Sequence, residues 1–205
     1  MLYFYDLVKL GVAKLSADIL ARAARASSGL TQIELAHRSG IAGSSLSLIE
    51  HGKREPTFST LEVLLRAARH TAVIIPTVRS DAAHIAAEIS EAIASSDDAS
   101  AYRRFLQLAD NLAAETGATK VGLTLTEPAF TGSSEWDLAI AALCEYRLNA
   151  YRLPIPTWII QRRNLLKIRW TPYASDYEIP VEIKNVPKEF LRRGILIEVQ
   201  TLESI

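Results

Sequence analysis

The sequence predicts a mainly α-helical protein with an N-terminal domain of four or five helices, a helical connector and a small, mostly helical C-terminal domain with short strands. Apolar residues recur at helical spacing through most of the first two-thirds of the chain. Glycines and residues that can cap helices separate these segments, and prolines divide the C-terminal stretch into short elements. The expected domains are 1–78, 79–130 and 131–205.

Four helices are expected in the first domain, each bounded by a glycine or by a residue that can cap a helix. Their expected ranges are 16–27, 31–40, 43–51 and 59–70. Thr31 and Glu34 have the spacing of a capping box at the start of the second helix. Ser59 and Glu62 have the same spacing at the start of the fourth. Gly40 permits the positive φ of a tight turn between the second and third helices.

Three further helices are predicted in the remainder of the chain, at 81–96, 99–116 and 134–150. Residues 71–76 (TAVIIP) are short, β-branched and closed by a proline, which is typical of a strand or of an extended connector. Residues 120–132 lack the helical period, and the stretch VGLTLT alternates like a strand.

Charge is distributed unevenly although the formal net charge is zero. Residues 1–80 hold 10 Lys and Arg and 6 Asp and Glu, net +4, whereas residues 81–205 hold 13 and 17, net −4. A positive half is a modest indication of nucleic-acid binding.

The longest unbroken apolar run has 7 residues, far fewer than the roughly 20 of a membrane helix. We therefore expect a soluble protein. Its single cysteine, Cys144, cannot form an internal disulfide, which favours a reducing cytoplasm. The role of the apolar residues 1–15 stays open.

Residues 29–56, GLTQIELAHRSGIAGSSLSLIEHGKREP, resemble the Cro/repressor family, often called Xre-type regulators. The family pattern is Leu-Thr/Ser-Gln-x-x-Leu-Ala, a turn glycine, and a helix ending Ile-x-x-Ile-Glu-x-Gly. The matching residues are Leu30, Thr31, Gln32, Leu35, Ala36, Gly40, Leu46, Ile49, Glu50 and Gly52. The resemblance implies a lambda-repressor-like helix-turn-helix domain whose third helix enters the DNA major groove.

The resemblance also implies roles for individual residues. Those expected to contact bases are Gly43, Ser44, Ser47 and Leu48. Those expected to contact phosphates are Gln32, Ser45, Lys53 and Arg54. Arg25 and Glu50 correspond to a structural ion pair. Because Gly43 has no side chain, part of the recognition is left to DNA shape or to water.

A homodimer on double-stranded operator DNA is expected, because proteins of this class place two third helices about 34 Å apart on a near-palindrome. Two other interpretations stay open. The four helices could form a purely structural bundle, and Lys53 and Arg54 could belong to a solvated loop.

The C-terminal half resembles antitoxins of the Xre type that are encoded beside nucleotidyltransferase-like toxins of the AbiEii class. The resemblance lies in residues 131–158 and 185–205. The matching residues are Trp136, Asp137, Glu145, Pro156, Thr157, Trp158, Val186, Pro187, Phe190, Arg193, Gly194, Ile195 and Leu202. It implies that the protein represses its own operon and counters a cognate toxin.

A physical interpretation of the same residues stands beside this resemblance. Trp136, Trp158 and Trp170 are expected to anchor a compact core with Phe190 nearby. Basic residues interleaved with aromatic ones form either a surface for a partner or nucleic acid, or a solvated face. The basic residues considered for a partner surface are Arg147, Arg152, Arg162, Arg163, Arg192 and Arg193.

Three classes of function follow from these observations. The first is a sequence-specific transcriptional regulator that acts as an autorepressing antitoxin. The second is a conventional regulator whose C-terminal domain senses a small molecule, which predicts a cavity with convergent polar groups. The third, an enzyme tethered to DNA, is not expected: the sequence has no Gly-rich phosphate loop, HExxH, CxxC or nucleophile elbow. Cys144 fits a core position better than a nucleophile, and we expect no cofactor and no metal.

Overall fold

The computed structural model describes residues 17–172 and 180–203, and within them the protein is mainly helical. The apolar residues 1–15, whose role the sequence left open, lie outside the described residues. The described α-helices are α1 (Ala17–Ser27), α2 (Gln32–Ser39), α3 (Gly43–Glu50), α4 (Phe58–Ala67), α5 (Ala82–Ala94), α6 (Asp98–Ala114), α7 (Gly117–Leu125), α8 (Ser134–Asn149), α9 (Thr157–Gln161), α10 (Lys188–Leu191) and α11 (Val199–Glu203). A short 3₁₀ turn covers Ile183–Asn185.

The first four helices pack around one small apolar core. Leu35 of α2, Leu46 and Ile49 of α3, and Leu64 of α4 are buried in it. Alanines on α1, among them Ala21, face the same core. Small residues on α1 let the other helices approach closely, and each large side chain buried there stabilises the domain by about 1.5–3 kcal/mol.

Of the two helix caps predicted from the sequence, one is confirmed and the other is wrong. The capping box predicted at Thr31 and Glu34 is confirmed, since the Glu34 amide donates to Thr31 Oγ1 at 3.2 Å and the Thr31 amide donates to Glu34 Oε2 at 2.8 Å. The predicted cap at Ser59 is wrong. Thr57 caps α4 by accepting a hydrogen bond from the Thr60 amide at 3.2 Å, because Thr57 has the extended backbone of a capping residue and Ser59 already lies inside the helix.

The helices from α5 onward share a second, larger core. Phe105 of α6 lies 5.7 Å from Trp136 of α8 and 6.5 Å from Phe190 of α10, measured between ring centroids. The predicted tryptophan core is confirmed for Trp136 and Trp158, which are buried, and Trp170 packs partly buried against the same cluster. The predicted division at residue 130 stays a prediction, although helices on both sides of it contribute to this core.

Helix α8 lies at the centre of the second core. Its residues from Ala139 to Leu143 are all fully buried, so the helix has no solvent-facing side along this stretch. Helices α5, α6, α7, α9 and α10 all contact it. Cys144 follows in the same stretch, and burial raises the pKa of its thiol, which fits a core residue rather than a nucleophile.

The strand expected from VGLTLT is wrong, because all of these residues except Thr126 belong to helix α7. The buried residues of α7 are Lys120, Leu123 and Thr124, at helical rather than alternating spacing. Thr124 Oγ1 donates to the Val121 carbonyl at 2.8 Å, which satisfies its hydroxyl inside the helix. The short C-terminal strands are not seen in the described residues, where one isolated parallel bridge joins Trp170 and Ile195.

An extended connection joins the two cores. Residues 71–76, for which a strand or a connector was predicted, form no helix and pair with no described strand. Ile75 lies directly against α7, since a Cβ added to Gly122 would come within 2.8 Å of the Ile75 Cδ1 atom. At the end of the connection, Asn111 Nδ2 of α6 donates to the Ser80 carbonyl at 3.0 Å. Helix α1 of the first core also contacts α5 of the second. The connection is therefore held on the C-terminal body.

A buried carboxylate organises one side of this body. Glu145 of α8 forms ion pairs with Arg163 and Arg193, each at 2.8 Å, and with Arg192. Arg193 is fully buried and also donates to the Ile159 and Arg162 carbonyls. Burial, with Arg192 and Arg163 nearby, lowers the pKa of Arg193 to about 10.

The arginines considered for a partner surface therefore do not share one surface. Arg162 and Arg193 are buried because their guanidinium groups satisfy backbone carbonyls inside the body. Arg147 is half-buried and donates to the Leu202 carbonyl at 2.6 Å. The exposed members of the set are Arg152, Arg163 and Arg192.

Replacing Glu145 with glutamine should lower the free energy of unfolding by about 3 kcal/mol, because the buried Arg193 then lacks a counter-charge. Urea unfolding followed by circular dichroism measures this change. Glu182→Gln is the control in the same body: Glu182 pairs with Lys184 at 2.9 Å and both side chains are exposed, so its loss should cost less than about 1 kcal/mol. Equal losses in the two variants would contradict the central role of Glu145.

Candidate nucleic-acid interface

Helices α2 and α3 form a compact pair joined by a tight turn. Gly40 ends α2 with a φ of 69°, the left-handed conformation that glycine adopts without strain. Leu46 and Ile49 then turn one side of α3 into the core. On the opposite side of α3, Gly43, Ser44 and Leu48 are exposed, so no part of the described chain covers them.

The exposed side of α3 carries most of the residues expected to contact bases. Gly43 and Ser44 lie in its first turn and Leu48 one turn further on. A Cβ added to Gly43 would meet no atom within 4 Å, so this position opens directly to solvent. Ser47 is only half-exposed, and its carbonyl lies 2.7 Å from His51 Nδ1. The structure brings these four residues onto one short helix, and their contacts with bases stay a prediction.

A second buried carboxylate lies at the end of α3. Glu50 is 1% exposed and accepts two hydrogen bonds from Arg25 of α1, from Nε at 2.7 Å and from Nη2 at 3.0 Å. This bidentate geometry is the strong form of an arginine–carboxylate pair. Arg25 Nη1 also donates to the Leu30 carbonyl at 3.1 Å. The pair thus joins α1, the start of α2 and the end of α3.

Gln32, expected to contact phosphate, also belongs to this network. Its Nε2 donates to Glu50 Oε2 at 2.6 Å. A carboxamide nitrogen carries two hydrogens and its oxygen accepts, so one N–H and the oxygen stay available. The Glu50 bond therefore fixes the side chain at the first turn of α2 without using all of its hydrogen-bonding groups.

The loop after α3 folds back onto the helix. The amides of Lys53 and Arg54 both donate to the Leu48 carbonyl, at 2.9 and 3.1 Å. Arg54 Nη1 donates to Ser45 Oγ at 3.0 Å. The backbone of both exposed residues is therefore fixed at the end of α3, and the Arg54 guanidinium is also held against the helix, which adds positive charge there.

Two contacts at this interface were missed by the sequence analysis, namely Gln32 with Glu50 and Ser45 with Arg54. Each joins residues from different elements, so no helical spacing signals it. The pattern gave Gln32 and Ser45 a role toward DNA, and the structure adds that both side chains are held in place by other side chains of the domain.

Residues 22–69 match the family model described as Helix-turn-helix. This range contains α2, the turn and α3, with most of α1 and all of α4. The chain therefore carries a helix-turn-helix domain of the Xre/lambda-repressor type. Such a domain supports a DNA-binding transcriptional regulator. No curated protein and no solved structure matches the chain.

Within 17–172 and 180–203, no helix is both long and apolar enough to span a bilayer. In the same ranges, no group of three or more His, Cys, Asp or Glu side chains is placed to hold a metal ion.

Replacing Arg25 with methionine should lower the free energy of unfolding of the helix-turn-helix domain by about 3 kcal/mol, because the Glu50 carboxylate stays buried without its guanidinium partner. Urea unfolding of the full chain measures the loss. Arg22→Met is the control, since Arg22 pairs with Asp18 at a more exposed position one turn away on the same helix and should lose less than about 1 kcal/mol.

A double variant separates charge from packing. Arg25→Met with Glu50→Met removes both charges, so it should be more stable than Arg25→Met alone. If the double variant were less stable than either single one, the ion pair would not be the reason for the loss.

Proposed function

We propose that the protein is a sequence-specific transcriptional regulator that binds operator DNA as a homodimer, represses its own operon and neutralises a cognate toxin. The observation that carries the DNA-binding part is the exposed side of α3 within a matched helix-turn-helix domain. The antitoxin part rests on the resemblance of the C-terminal half.

Recognition of DNA in this proposal divides between two kinds of contact. Ser44 can donate or accept a hydrogen bond at a base edge, and Leu48 offers an apolar surface to a thymine methyl group. Lys53 and Arg54 neutralise phosphates beside the helix, while Gln32 binds a phosphate at the start of α2. The Glu50 network supports this division, because it fixes Gln32 relative to α3.

The surface proposed for the toxin lies around the Glu145 cluster. Arg163 and Arg192 both reach solvent while their guanidinium groups are oriented by the same buried carboxylate. Leu165 and Ile168 are exposed in the segment that follows Arg163. Fixed arginines beside exposed aliphatic side chains are typical of the centre of a protein–protein interface, so we assign this surface to a protein partner with acidic groups.

A small-molecule sensor is the second candidate, and one cavity favours it. A cavity of about 630 Å³ lies between the end of α8 and the segment from Lys184 to Glu189. Tyr146, Asn149 and Asn185 contribute polar groups to it. It opens widely to solvent, whereas sites for small molecules usually enclose most of their ligand, which is why the antitoxin is preferred.

The DNA-binding proposal predicts different effects for two sets of substitutions. Replacing Ser44 and Leu48 with alanine should reduce discrimination between the promoter and unrelated DNA by about 1–3 kcal/mol per lost base contact. Lys53→Ala should weaken binding to all sequences and reduce the slope of log K against log salt by about 1. Fluorescence anisotropy at several salt concentrations measures both effects.

The control for these substitutions is Lys184→Ala, which removes an exposed lysine from the C-terminal body and should leave both quantities unchanged. A Lys53 variant that lost specificity and kept its salt slope would contradict the assigned roles. A wild-type protein that ignored its own promoter at low salt would refute DNA recognition altogether.

The antitoxin proposal predicts that the product of the adjacent gene co-purifies with this protein after co-expression. With the double variant Arg163→Ala, Arg192→Ala, the amount of co-purified gene product should fall at least about tenfold, because arginines at the centre of an interface contribute strongly to its affinity. Arg152→Ala is the matched control, because Arg152 is exposed and no ion pair joins it to Glu145 in the described residues. If the wild-type protein retained no neighbour, the antitoxin role would fall and thermal-shift screening of metabolites would test the sensor.

A further inference from the structure

The segment Thr71–Pro76 leaves apolar side chains uncovered directly after the helix-turn-helix domain. Val73 is 70% exposed and Ile74 is 97% exposed, although both are among the residues most favourable for a buried strand. Thr71 and Ala72 are exposed as well. An aliphatic side chain as open as Ile74 contributes no burial energy to the single chain.

The backbone of this segment is equally unpartnered. The Thr77 amide donates to the Ile75 carbonyl at 2.9 Å, which forms a turn at the end of the segment. Apart from that turn, no backbone hydrogen bond joins residues 71–75 to the part of the chain that the structure describes. An extended segment with open N–H and C=O groups and β-branched side chains is a template for pairing with another strand.

We propose that this segment pairs antiparallel with the same segment of a second copy, and so closes the dimer that binds DNA. The inference rests on the proposed function in one respect, the need for two helix-turn-helix domains on one operator. A two-fold axis through the segment makes the contact isologous, with the same surface used by both copies. Residues 71–76 carry no charge, so like charges do not oppose each other across the pair.

Two features of the segment set where the axis lies. Pro76 has no N–H and ends the pairing, which leaves residues 71–75 for the ladder. Ile75 is held against Gly122 on the body, whereas Val73 and Ile74 are exposed, so the open part of the segment is the part before Ile75. An antiparallel ladder over residues 71–75 has its centre at Val73, which then faces Val73 of the second copy.

Single cysteines at these positions test the pairing in the full chain. Opposed residues of an antiparallel pair have Cα atoms about 4.5–5.5 Å apart, within the range that a disulfide spans. Val73→Cys should therefore form a covalent dimer at least about tenfold faster under mild oxidation than a cysteine away from the axis. Cys144 needs no replacement, because it is buried and burial raises the pKa of its thiol.

The matched control is Val78→Cys. Val78 is the same residue type with the same exposed fraction, 70%, but lies beyond the proline. Sedimentation of Ile74→Asp gives an independent measurement, since a charge beside the axis should shift the wild-type dimer toward monomer, whereas Val78→Asp should not. Equal cross-linking rates at positions 73 and 78, or a monomeric wild-type protein, would overturn the strand pairing.

Binding of the wild-type protein to its promoter separates this inference from the proposed function. A protein that binds the promoter but cross-links no faster at position 73 than at 78 overturns the strand pairing and leaves the regulator in place. Rapid cross-linking at position 73 without promoter binding supports the pairing and counts against the regulator.

Discussion

The helix-turn-helix domain depends on the bidentate pair between Arg25 and the buried carboxylate of Glu50. A domain with so small a core has little apolar area to fix the angle between short helices. The pair supplies this constraint, because its hydrogen bonds reach α1, the Leu30 carbonyl and, through Gln32, the start of α2. Without Arg25 the carboxylate would be uncompensated in the core, so alternative packings of α3 that separate the two groups are strongly disfavoured.

The C-terminal body also contains a buried carboxylate, but the ratio of arginines to carboxylate is higher there. Among the residues that the structure describes, Glu50 pairs with one arginine and Glu145 with three, so the second cluster carries excess positive charge. Arg193 satisfies its remaining donors on carbonyls inside the body, and the excess therefore lies on Arg163 and Arg192 at the surface. The same side chain that orders the core thus also orients two cations toward solvent, which is what recognition of an acidic partner requires.

The sequence predicted the helices where local signals were strong and failed where tertiary contacts decided. Thr31 and Glu34 sit within one turn, so their capping box depends on no distant residue. The stretch that became α7 alternates in hydrophobicity, but Leu123 faces the shared core and the Trp158 indole donates to the Thr124 carbonyl at 2.9 Å. The burial of Arg162 and Arg193 could not be predicted from the sequence either. A guanidinium is buried only when distant carbonyls converge on it, and the spacing of residues along the chain does not indicate such contacts.

The connection between the two bodies has the strongest consequence for regulation. Ile75 packs against Gly122 of α7, while the neighbouring Ile74 is exposed. If the open residues pair across a two-fold axis, the distance between the two α3 helices is set partly by where α7 holds Ile75. Helix α7 in turn contacts α8, which carries Glu145 and its surface arginines. A protein bound at those arginines would therefore change operator affinity only if it favoured one of two arrangements of the packed residues that connect α8, α7 and Ile75. The change in operator affinity could not exceed the difference in that protein's affinity for the two arrangements.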